Sequence, residues 1–302
     1  MAYKLLGKNF TPPDIKAKVT GKAKYAEDFR AEGMAYIKLL LSPVPHARIS
    51  NIYVHDALKM PGVLGVLTAD DLPPSEGIRQ PILTNNPHYV GDPILAIAAI
   101  DEISAADALE KIKYDTELLD FVIDPIKSLH PHGSNARGDA NVANWGIPAQ
   151  ELKWTEEDFD EIENGQLSMT GRAATEWSYG DLNNAFSAAT LVYDETFVTG
   201  SNAHHSLEPR TAMSYWQNGK CYVYGSTQSQ SFIIPGLAKL IGIEPKELVY
   251  IAEYCGGGFG SKGTAYAIMA LPAFMAKKIG RPVMMRITRS EEYFLGSNRG
   301  GF

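Results

Sequence analysis

A stretch of main chain that is almost bare of side chains carries the strongest chemical signal in the sequence. Gly256–Lys262 has the sequence GGGFGSK, and an apolar helical pattern begins directly after Gly263. Unpaired N–H groups at the start of a helix, together with the positive end of the helix dipole, bind negative groups. Glycine also lets the main chain approach a ligand without a Cβ clash. The order of strand, glycine loop and helix therefore predicts a site for an anion or a polar cofactor.

Two nucleotide-binding motifs and one structural explanation compete for this loop. A P-loop needs G-x-x-x-x-G-K-[ST], whereas Gly256–Lys262 gives G-x-x-x-G-S-K, which is one residue short. The dinucleotide fingerprint G-x-G-x-x-G is met by Gly258, Gly260 and Gly263, but too few residues follow to complete a nucleotide-binding sheet. The third explanation is a glycine-rich turn that only allows a helix and a strand to pack closely.

Several polar residues near the loop have both a chemical and a structural interpretation. His204 and His205 suggest metal ligands, but adjacent residues of an extended segment point to opposite faces, which favours a structural role. Glu208, next to a proline, is predicted to be an internal hydrogen-bond acceptor. Cys255 is either a reactive thiol or an inert packed side chain, and packing is the commoner role.

Charged side chains close to the loop also leave two interpretations each. Lys262 either contacts a phosphate or remains solvated at the start of the predicted helix. The segment Arg289–Tyr293, RSEEY, either pairs charges at a domain edge or forms a solvated face, and the solvated face is the simpler expectation.

Composition limits the class of protein and its partners. The chain has 302 residues, of which 45% are hydrophobic and 21% charged, as in ordinary globular domains. A net charge of -7 argues against a nucleic-acid partner. Two cysteines provide neither a disulfide framework nor the four ligands of an iron–sulfur cluster. We find no signal-peptide pattern and no apolar run of about 18 residues, so a cytoplasmic protein without a membrane span is predicted.

Short strands and one helix are predicted in the first part of the chain, to about residue 125. Gly33–Ser42 is rich in strand-forming residues, and Thr68 or Asp70 is placed to cap a helical turn. A helix is predicted over Ser104–Glu117, with Ser104 as its cap. Its apolar face consists of Ala105, Ala108, Leu109 and Ile112.

A change of composition separates this part from the second. Residues 131–172 have low apolar density and predict a long connector. Strands are predicted over residues 189–200 and within residues 220–228. A helix over residues 229–243 contains Pro235, which is expected to mark its first turn or a break, and a longer apolar helix is predicted over residues 264–280.

Six segments spread over nearly the whole chain have to be considered together. The segments are GKAKYAEDF (Gly21–Phe29), SPVPHARI (Ser42–Ile49), YVGDPILAIAA (Tyr89–Ala99), HHSLEPRTAM (His204–Met213), GSTQSQSF (Gly225–Phe232) and GGGFGSK (Gly256–Lys262). In this order they resemble the molybdenum hydroxylase family, whose members include xanthine oxidase, aldehyde oxidase and CO dehydrogenase. Together the six segments are far more specific than any one alone.

The resemblance implies an α+β, mixed α/β fold in the large, molybdopterin-binding subunit of that family. Its first domain is an α/β hammerhead domain, expected here over residues 1–130. The connector over 131–172 comes next. The first part of a molybdopterin-binding domain, incomplete, is expected over residues 173–302.

The resemblance also implies a cofactor, namely molybdenum held by molybdopterin, with the cytosine dinucleotide form left open. Gln228 of the STQ segment is then expected to hydrogen-bond an oxygen ligand of the metal, since an amide donates without carrying charge. Main-chain groups of Phe259 and Gly260 are expected to lie against the cofactor. The remaining candidate cofactor-binding residues are Gly256, Gly257, Gly258, Ser261 and Lys262.

The chain departs from the family in two respects. The family's catalytic glutamate lies near the end of a much longer subunit, so no catalytic residue is assigned within these 302 residues. Some members carry a substrate-side glutamate after the loop lysine, where this chain has Gly263, which argues against purine-type recognition. Either a second polypeptide completes the molybdenum domain or the chain is a fragment, and a split subunit is the preferred expectation because a half-domain leaves apolar faces open.

The implied activity is oxidative hydroxylation of an electron-poor carbon in a small molecule, with water as the oxygen source. A [2Fe–2S] small subunit and an FAD medium subunit are the expected electron-transfer partners, since two cysteines cannot hold the clusters. Two other classes of protein are compatible with the same residues. One is a nucleotide-binding module that uses GFGSKG, and the other is a structural subunit of the same complex without catalysis.

Overall fold

The computed structural model describes residues 4–73, 81–135, 140–144, 147–160, 177–193, 195, 197 and 199–300. Two compact units are formed, one by Met1–Leu118 with Ala203–Asn298 and the other by Leu119–Asn202 with Arg299–Phe302. The first unit contains the glycine loop and the side chains that surround it.

The described strands are short, and most of them belong to the first unit. They are β1 Ala35–Leu41, β2 Ala47–Tyr53, β3 Val63–Leu67, β4 Pro93–Ala99, β5 Lys113–Leu118, β6 Val142–Asn144, β7 Ile147–Gln150, β8 Asn202–Ala203, β9 Thr211–Gln217, β10 Lys220–Gly225, β11 Leu248–Ile251, β12 Val283–Arg286 and β13 Asn298–Arg299.

The described α-helices range from single turns to three turns. They are α1 Ile15–Val19, α2 His55–Leu58, α3 Glu102–Leu109, α4 Pro125–Leu129, α5 Glu156–Asp160, α6 Leu182–Ala188, α7 Gln230–Ile241, α8 Leu271–Ile279 and α9 Arg289–Leu295. Short 3₁₀ helices lie at Ala26–Asp28, Ala69–Asp71, Pro245–Glu247 and Ala267–Ala270.

One seven-stranded mixed sheet organises the first unit. Its strand order is β11-β10-β9-β12-β1-β4-β3. Strand β1 pairs with β12 in parallel, with Ala35 opposite Val283, and with β4 in antiparallel register. The sheet thus joins strands from the early and the late parts of the sequence. This mixture of helices with a mixed sheet confirms the predicted α+β, mixed α/β class.

Strand β4 shows why the core has two layers. All seven of its residues are buried, so it is covered on both faces, as expected for a strand that is apolar along its whole length. Ala96 and Ala98 belong to the larger core, which α7 and α8 help to form. Leu95 and Ile97 belong to a second core beneath α3. Alternate side chains of one strand therefore stabilise both layers.

The predicted helix over Ser104–Glu117 is shorter than expected and has a different cap. Helix α3 begins at Glu102, and the Asp101 carboxylate accepts a hydrogen bond from the Ser104 N–H at 2.7 Å. Asp is a favoured N-cap residue because its side chain can accept a hydrogen bond from a free N–H group of the first helical turn. Residues 113–118 form β5 instead, because Lys113–Leu118 pairs with β2.

Other local predictions have mixed outcomes. Thr68 is the N-cap residue of the 3₁₀ turn at Ala69–Asp71, as predicted. Helix α7 begins at Gln230 and runs through Pro235, so the prediction that this proline marks the first turn or a break is wrong. The strand predicted over residues 189–200 is also wrong for its described residues, which form no strand; residues 194, 196 and 198 lie outside the described residues.

The second unit consists of short elements. Strands β6 and β7 pair in antiparallel fashion within the predicted connector. The Lys153 ammonium donates to the main-chain carbonyls of Ser128 and Gly133, each at 2.7 Å. Residues 136–139, 145–146 and 161–176 of this region lie outside the described residues, so its role as a connector stays a prediction.

Candidate cofactor site

The glycine loop turns sharply between β11 and the 3₁₀ helix at Ala267–Ala270. Gly257, Phe259 and Gly260 all have positive φ angles, of 102°, 52° and 101°. Glycine adopts this conformation readily, whereas a phenylalanine there is uncommon and costs conformational energy. Phe259 is nevertheless 68% exposed. A strained, exposed aromatic residue at the tip of a loop is typical of a site with a binding role.

The expected helix start at the loop is wrong. Helix α8 begins at Leu271, and only the 3₁₀ helix lies between it and the loop. Pro272 accounts for the late start, because it occupies the first turn of α8, where its missing N–H has no cost. The loop therefore offers its own N–H groups to a ligand, without the dipole of an adjoining α-helix. The dinucleotide fingerprint requires a helix that starts at the glycines, so this finding counts against the dinucleotide-binding alternative.

Gln228 is bound to the loop through its side-chain oxygen. Oε1 accepts hydrogen bonds from the main-chain N–H groups of Gly260, at 2.9 Å, and Lys262, at 3.2 Å. Because both partners are donors, the atom that faces them must be the amide oxygen. The side-chain NH₂ group has no acceptor among the described residues. Gln228 therefore presents a neutral hydrogen-bond donor on the exposed side of the loop.

Two positions of the loop require glycine, because a polar side chain occupies the space that a Cβ atom would take. A Cβ at Gly256 would be 2.5 Å from Cβ of Glu208. A Cβ at Gly258 would be 2.3 Å from Oε1 of Gln228. Both distances are far below any tolerated contact, so alanine at either position would displace a side chain that holds the loop.

Lys262 is deeply buried, and the predicted solvated side chain is wrong. Its side chain is 2% exposed, and its ammonium donates to the main-chain oxygen of Glu208 at 2.7 Å and to Oε2 of Glu208 at 3.0 Å. Glu208 also accepts hydrogen bonds from the N–H groups of Gly256, at 2.7 Å, and Ala26, at 3.2 Å. The prediction that Glu208 is an internal acceptor is confirmed.

A second buried ion pair supports the loop from the other side, and sequence reasoning missed it. Arg210 pairs with Glu292 of α9 and donates to the main-chain oxygen of Ser261. Its guanidinium lies 4.0 Å from the ring centre of Tyr266. The solvated face predicted for Arg289–Tyr293 is wrong at Glu292, which is buried. Both segments carry several charged and polar residues, so this pair had no clear signal in the sequence.

The histidines have structural surroundings, as predicted. The Nδ1 atom of His204 lies 2.8 Å from the main-chain oxygen of Ser297. The ring of His205 lies 5.1 Å from that of Tyr293. Within the described ranges, no group of three or more His, Cys, Asp or Glu side chains is placed to hold a metal ion.

Cys255 is not an activated nucleophile. Burial raises the pKa of its thiol, and its Sγ atom lies 3.5 Å from the main-chain oxygen of Gly257. Reactive cysteines instead have a lowered pKa in electropositive surroundings. The packing role is therefore the one that the geometry favours.

The donor set fits a particular kind of ligand. The site presents the Gln228 NH₂ group and the main-chain N–H groups of Gly257 and Gly258, which donate no hydrogen bond to any residue that the structure describes. It offers no carboxylate or imidazole cluster for a bare metal ion. These residues fit an anionic group with polar edges that brings its own metal ligands, as molybdopterin does. Neither of the two described cavities is lined by this loop.

Two family models match the chain. The "Molybdopterin cofactor-binding domain" matches residues 166–302, which include Gln228 and the glycine loop. The "Aldehyde oxidase and xanthine dehydrogenase, a/b hammerhead domain" matches residues 20–120. These two matches define the class as the molybdopterin-binding large subunits of molybdenum hydroxylases.

Individual proteins of this class are similar to the chain over nearly its whole length. A probable xanthine dehydrogenase component of Bacillus subtilis is 30% identical over 95% of this chain and 35% of that protein. The "Nicotinate dehydrogenase large molybdopterin subunit" of Eubacterium barkeri is 27% identical over 98% of this chain and 64% of that protein. The solved structure of the aldehyde oxidoreductase from Desulfovibrio gigas has the same fold, with a TM-score of 0.73 and 24% identity over 96% of this chain and 31% of that one. The chain belongs to the molybdenum hydroxylase family and corresponds to part of its large subunit.

The relatives extend well beyond the matched region. The chain spans about a third of the length of the xanthine dehydrogenase and aldehyde oxidoreductase relatives. No described helix has both the length and the hydropathy that crossing a membrane requires.

Proposed function

We propose that this chain holds the molybdopterin cofactor in a molybdenum hydroxylase that oxidises an electron-poor carbon of a small molecule. The observation that carries the proposal is the orientation of Gln228. The side-chain oxygen of Gln228 already accepts hydrogen bonds from the N–H groups of Gly260 and Lys262. The side-chain NH₂ group is therefore the part of the amide that is left to bind a ligand. A neutral donor beside a bare main-chain loop suits the oxygen atoms of a metal-bearing pterin.

The bound group would supply the redox-active metal that takes up electrons from the substrate carbon. The chain's own residues bind and orient it. Gln228 donates from its amide, and the loop offers the N–H groups of Gly257 and Gly258 together with the exposed main chain at Phe259 and Gly260. Gly256, Gly257 and Gly258 shape the approach, and Ser261 and Lys262 hold the end of the loop.

We propose that the base and the electron-transfer groups come from outside these 302 residues. The two carboxylates that support the loop, Glu208 and Glu292, are both in buried ion pairs, so we assign neither as the base. We propose that further polypeptide completes the molybdenum domain and that a [2Fe–2S] subunit and an FAD subunit accept the electrons. The cytoplasm stays the proposed compartment, and the cytosine dinucleotide form of the pterin is left open.

The substrate is proposed only as a class. Gly263 stands where purine-oxidising members carry a glutamate, and a Cβ there would meet only the main-chain oxygen of Gly260, at 3.6 Å. Position 263 therefore contributes no carboxylate to substrate recognition. We propose a substrate that is recognised through its electron-poor carbon, without a charged partner at this position.

Two substitutions at Gln228 test the proposal in the purified complex. Gln228→Glu keeps an oxygen for the Gly260 and Lys262 N–H groups but removes the outward donor, whereas Gln228→Ala removes both. Both variants should assemble, and both should lose turnover, with Gln228→Glu retaining the thermal stability of the wild type. Full turnover in Gln228→Glu, or a wild-type complex without molybdenum and pterin, would contradict the proposal.

A further inference from the structure

One buried carboxylate holds both ends of the glycine loop. Glu208 Oε2 accepts a hydrogen bond from the N–H of Gly256, the first loop residue, at 2.7 Å. The same oxygen lies 3.0 Å from the ammonium of Lys262, the last loop residue. Glu208 Oε1 accepts from the N–H of Ala26 at 3.2 Å, which fixes the carboxylate to the N-terminal segment. A single side chain thus determines the distance between the start and the end of the loop.

Lys262 connects this carboxylate to Gln228. Its main-chain N–H donates to Oε1 of Gln228 at 3.2 Å. Its main-chain oxygen accepts from the Gln228 N–H at 2.9 Å and from the Thr227 hydroxyl at 3.0 Å. Every polar group of Lys262 is therefore bonded within the protein. A shift of Lys262 would move the side-chain amide that we assign to the cofactor.

The burial of the pair makes this connection stiff. The two side chains are 2% and 7% exposed, so neither charge is screened by water. Removal of one partner from a buried ion pair leaves an uncompensated charge and is strongly destabilising, whereas removal of both charges is often tolerated. The folding role and the positioning role of the pair are therefore separable by experiment.

We propose that Glu208 and Lys262 are positioning residues for the cofactor, and that the Lys262 ammonium sets the loop geometry rather than binding the cofactor's phosphate. This inference rests on the proposed function, because it concerns the same loop. Glu208 would act on Gln228 indirectly, by fixing the position of Lys262, and would not itself contact the ligand.

Three variants of the complex separate the roles. Glu208→Gln removes the charge and replaces one acceptor oxygen by an amide donor, so either the bond from the Ala26 N–H or the bonds from Gly256 and Lys262 are lost. The double variant Glu208→Gln with Lys262→Met removes both charges and the side-chain link between residues 208 and 262, while the main-chain bonds of residue 262 to Gln228 and Thr227 remain. Glu102→Gln is the matched control, because it breaks the ion pair of Glu102 with Arg286, which lies outside the loop. The measurements are the thermal midpoint, hydrogen exchange of residues 256–262, and molybdenum and pterin per chain.

If the pair positions the loop, the thermal midpoint should respond differently from loop exchange and molybdenum retention. Glu208→Gln should lower the midpoint, speed exchange in the loop and reduce molybdenum retention about 10- to 100-fold, as loss of an outer support of a metal site does. The double variant should regain the midpoint but keep fast exchange and low retention. Glu102→Gln should leave loop exchange and retention unchanged.

Two results would overturn the inference. One is a double variant that regains stability, slow exchange and full retention together, since the pair would then only support packing. The other is wild-type retention and exchange in Glu208→Gln. If the wild-type complex contained no molybdenum, the proposed function would fail instead, and the hydrogen-exchange readout alone would still decide whether Glu208 and Lys262 order the loop.

Discussion

The side chain of Gln228 lies directly on the Cα atom of Gly258. A Cβ at Gly258 would be 2.3 Å from Oε1 and 2.5 Å from Cδ of Gln228. The absence of a side chain at one residue therefore determines where the proposed ligand-binding amide lies. The missing side chain at Gly258 thus leaves space for a side chain of the protein itself, in addition to any space that the loop leaves for a ligand.

Substitution of Gly258 by alanine should displace Gln228. We expect Gly258→Ala to destabilise the protein by about 1–3 kcal/mol through overpacking and to reduce molybdenum per subunit. Gly263→Ala is the matched control, because its Cβ would meet only the Gly260 oxygen, at 3.6 Å. Denaturant unfolding and metal analysis measure both effects. Equal molybdenum content in the two variants would show that the contact with Gly258 does not position Gln228.

Thiol labelling should distinguish the two cysteines. Burial raises the pKa of Cys221 to about 12 and also raises that of Cys255, so both should react with iodoacetamide more slowly than a free thiol at neutral pH. Cys221 is fully buried and Cys255 only partly, so Cys255 should react first. Cofactor bound at the adjoining loop should slow Cys255 further. A Cys255 rate equal to that of the unfolded chain would contradict the described burial.

The ion pair between Glu102 and Arg286 should give a pH-dependent contribution to stability. Hydrogen bonds from Arg286 hold the pKa of Glu102 below its usual value of 4.5, and Lys38 adds to this effect against the opposing effect of burial. A carboxylate with a lowered pKa in the folded state stabilises the fold above its unfolded pKa, and this contribution is lost as pH falls through the folded value.

The measurement is denaturant unfolding of the wild type and Glu102→Gln at several pH values. Because the pair is partly exposed, the wild type should be more stable by only about 0.5–1 kcal/mol at pH 7. The difference should shrink as pH falls below 4.5, where the unfolded carboxyl is protonated. A difference that stays constant down to the lowest pH would show that the charge of Glu102 is not responsible.

Helix α7 offers a matched pair for the core. Leu237 is fully buried, whereas Phe232 is 69% exposed on the same helix. Leu237→Ala should destabilise by about 2–5 kcal/mol because it leaves a cavity. Phe232→Ala should change stability by less than about 0.5 kcal/mol. Similar losses in both variants would show that Phe232 packs against something that the described residues do not include.

Much of the fold could be predicted from local patterns. Strand β1 is rich in residues that favour strands, and Thr68 begins a turn as its type suggests. The late start of α8 could not be predicted from apolar periodicity, because the apolar pattern before Leu271 continues through a 3₁₀ helix. Only the position of Pro272 indicated where the α-helix begins.

The contacts among the candidate residues could not be predicted from the sequence. Gln228 and the glycines were proposed from short motifs, and their role toward a cofactor stays a prediction. The burial of Lys262 could not be foreseen, because its partner Glu208 is distant in sequence and a lysine after glycines is usually solvated. The pairing of Arg210 with Glu292 depends in the same way on a long-range contact.

The central claim is that the loop Gly256–Lys262 binds molybdopterin beside the amide of Gln228. A density map of the assembled complex, taken from a preparation whose molybdenum content has been measured, tests this claim most directly. The account predicts pterin density against the main chain of Phe259 and Gly260, within hydrogen-bond reach of the Gln228 NH₂ group. Solvent alone at the loop of a molybdenum-replete preparation, with the pterin bound elsewhere, would contradict it.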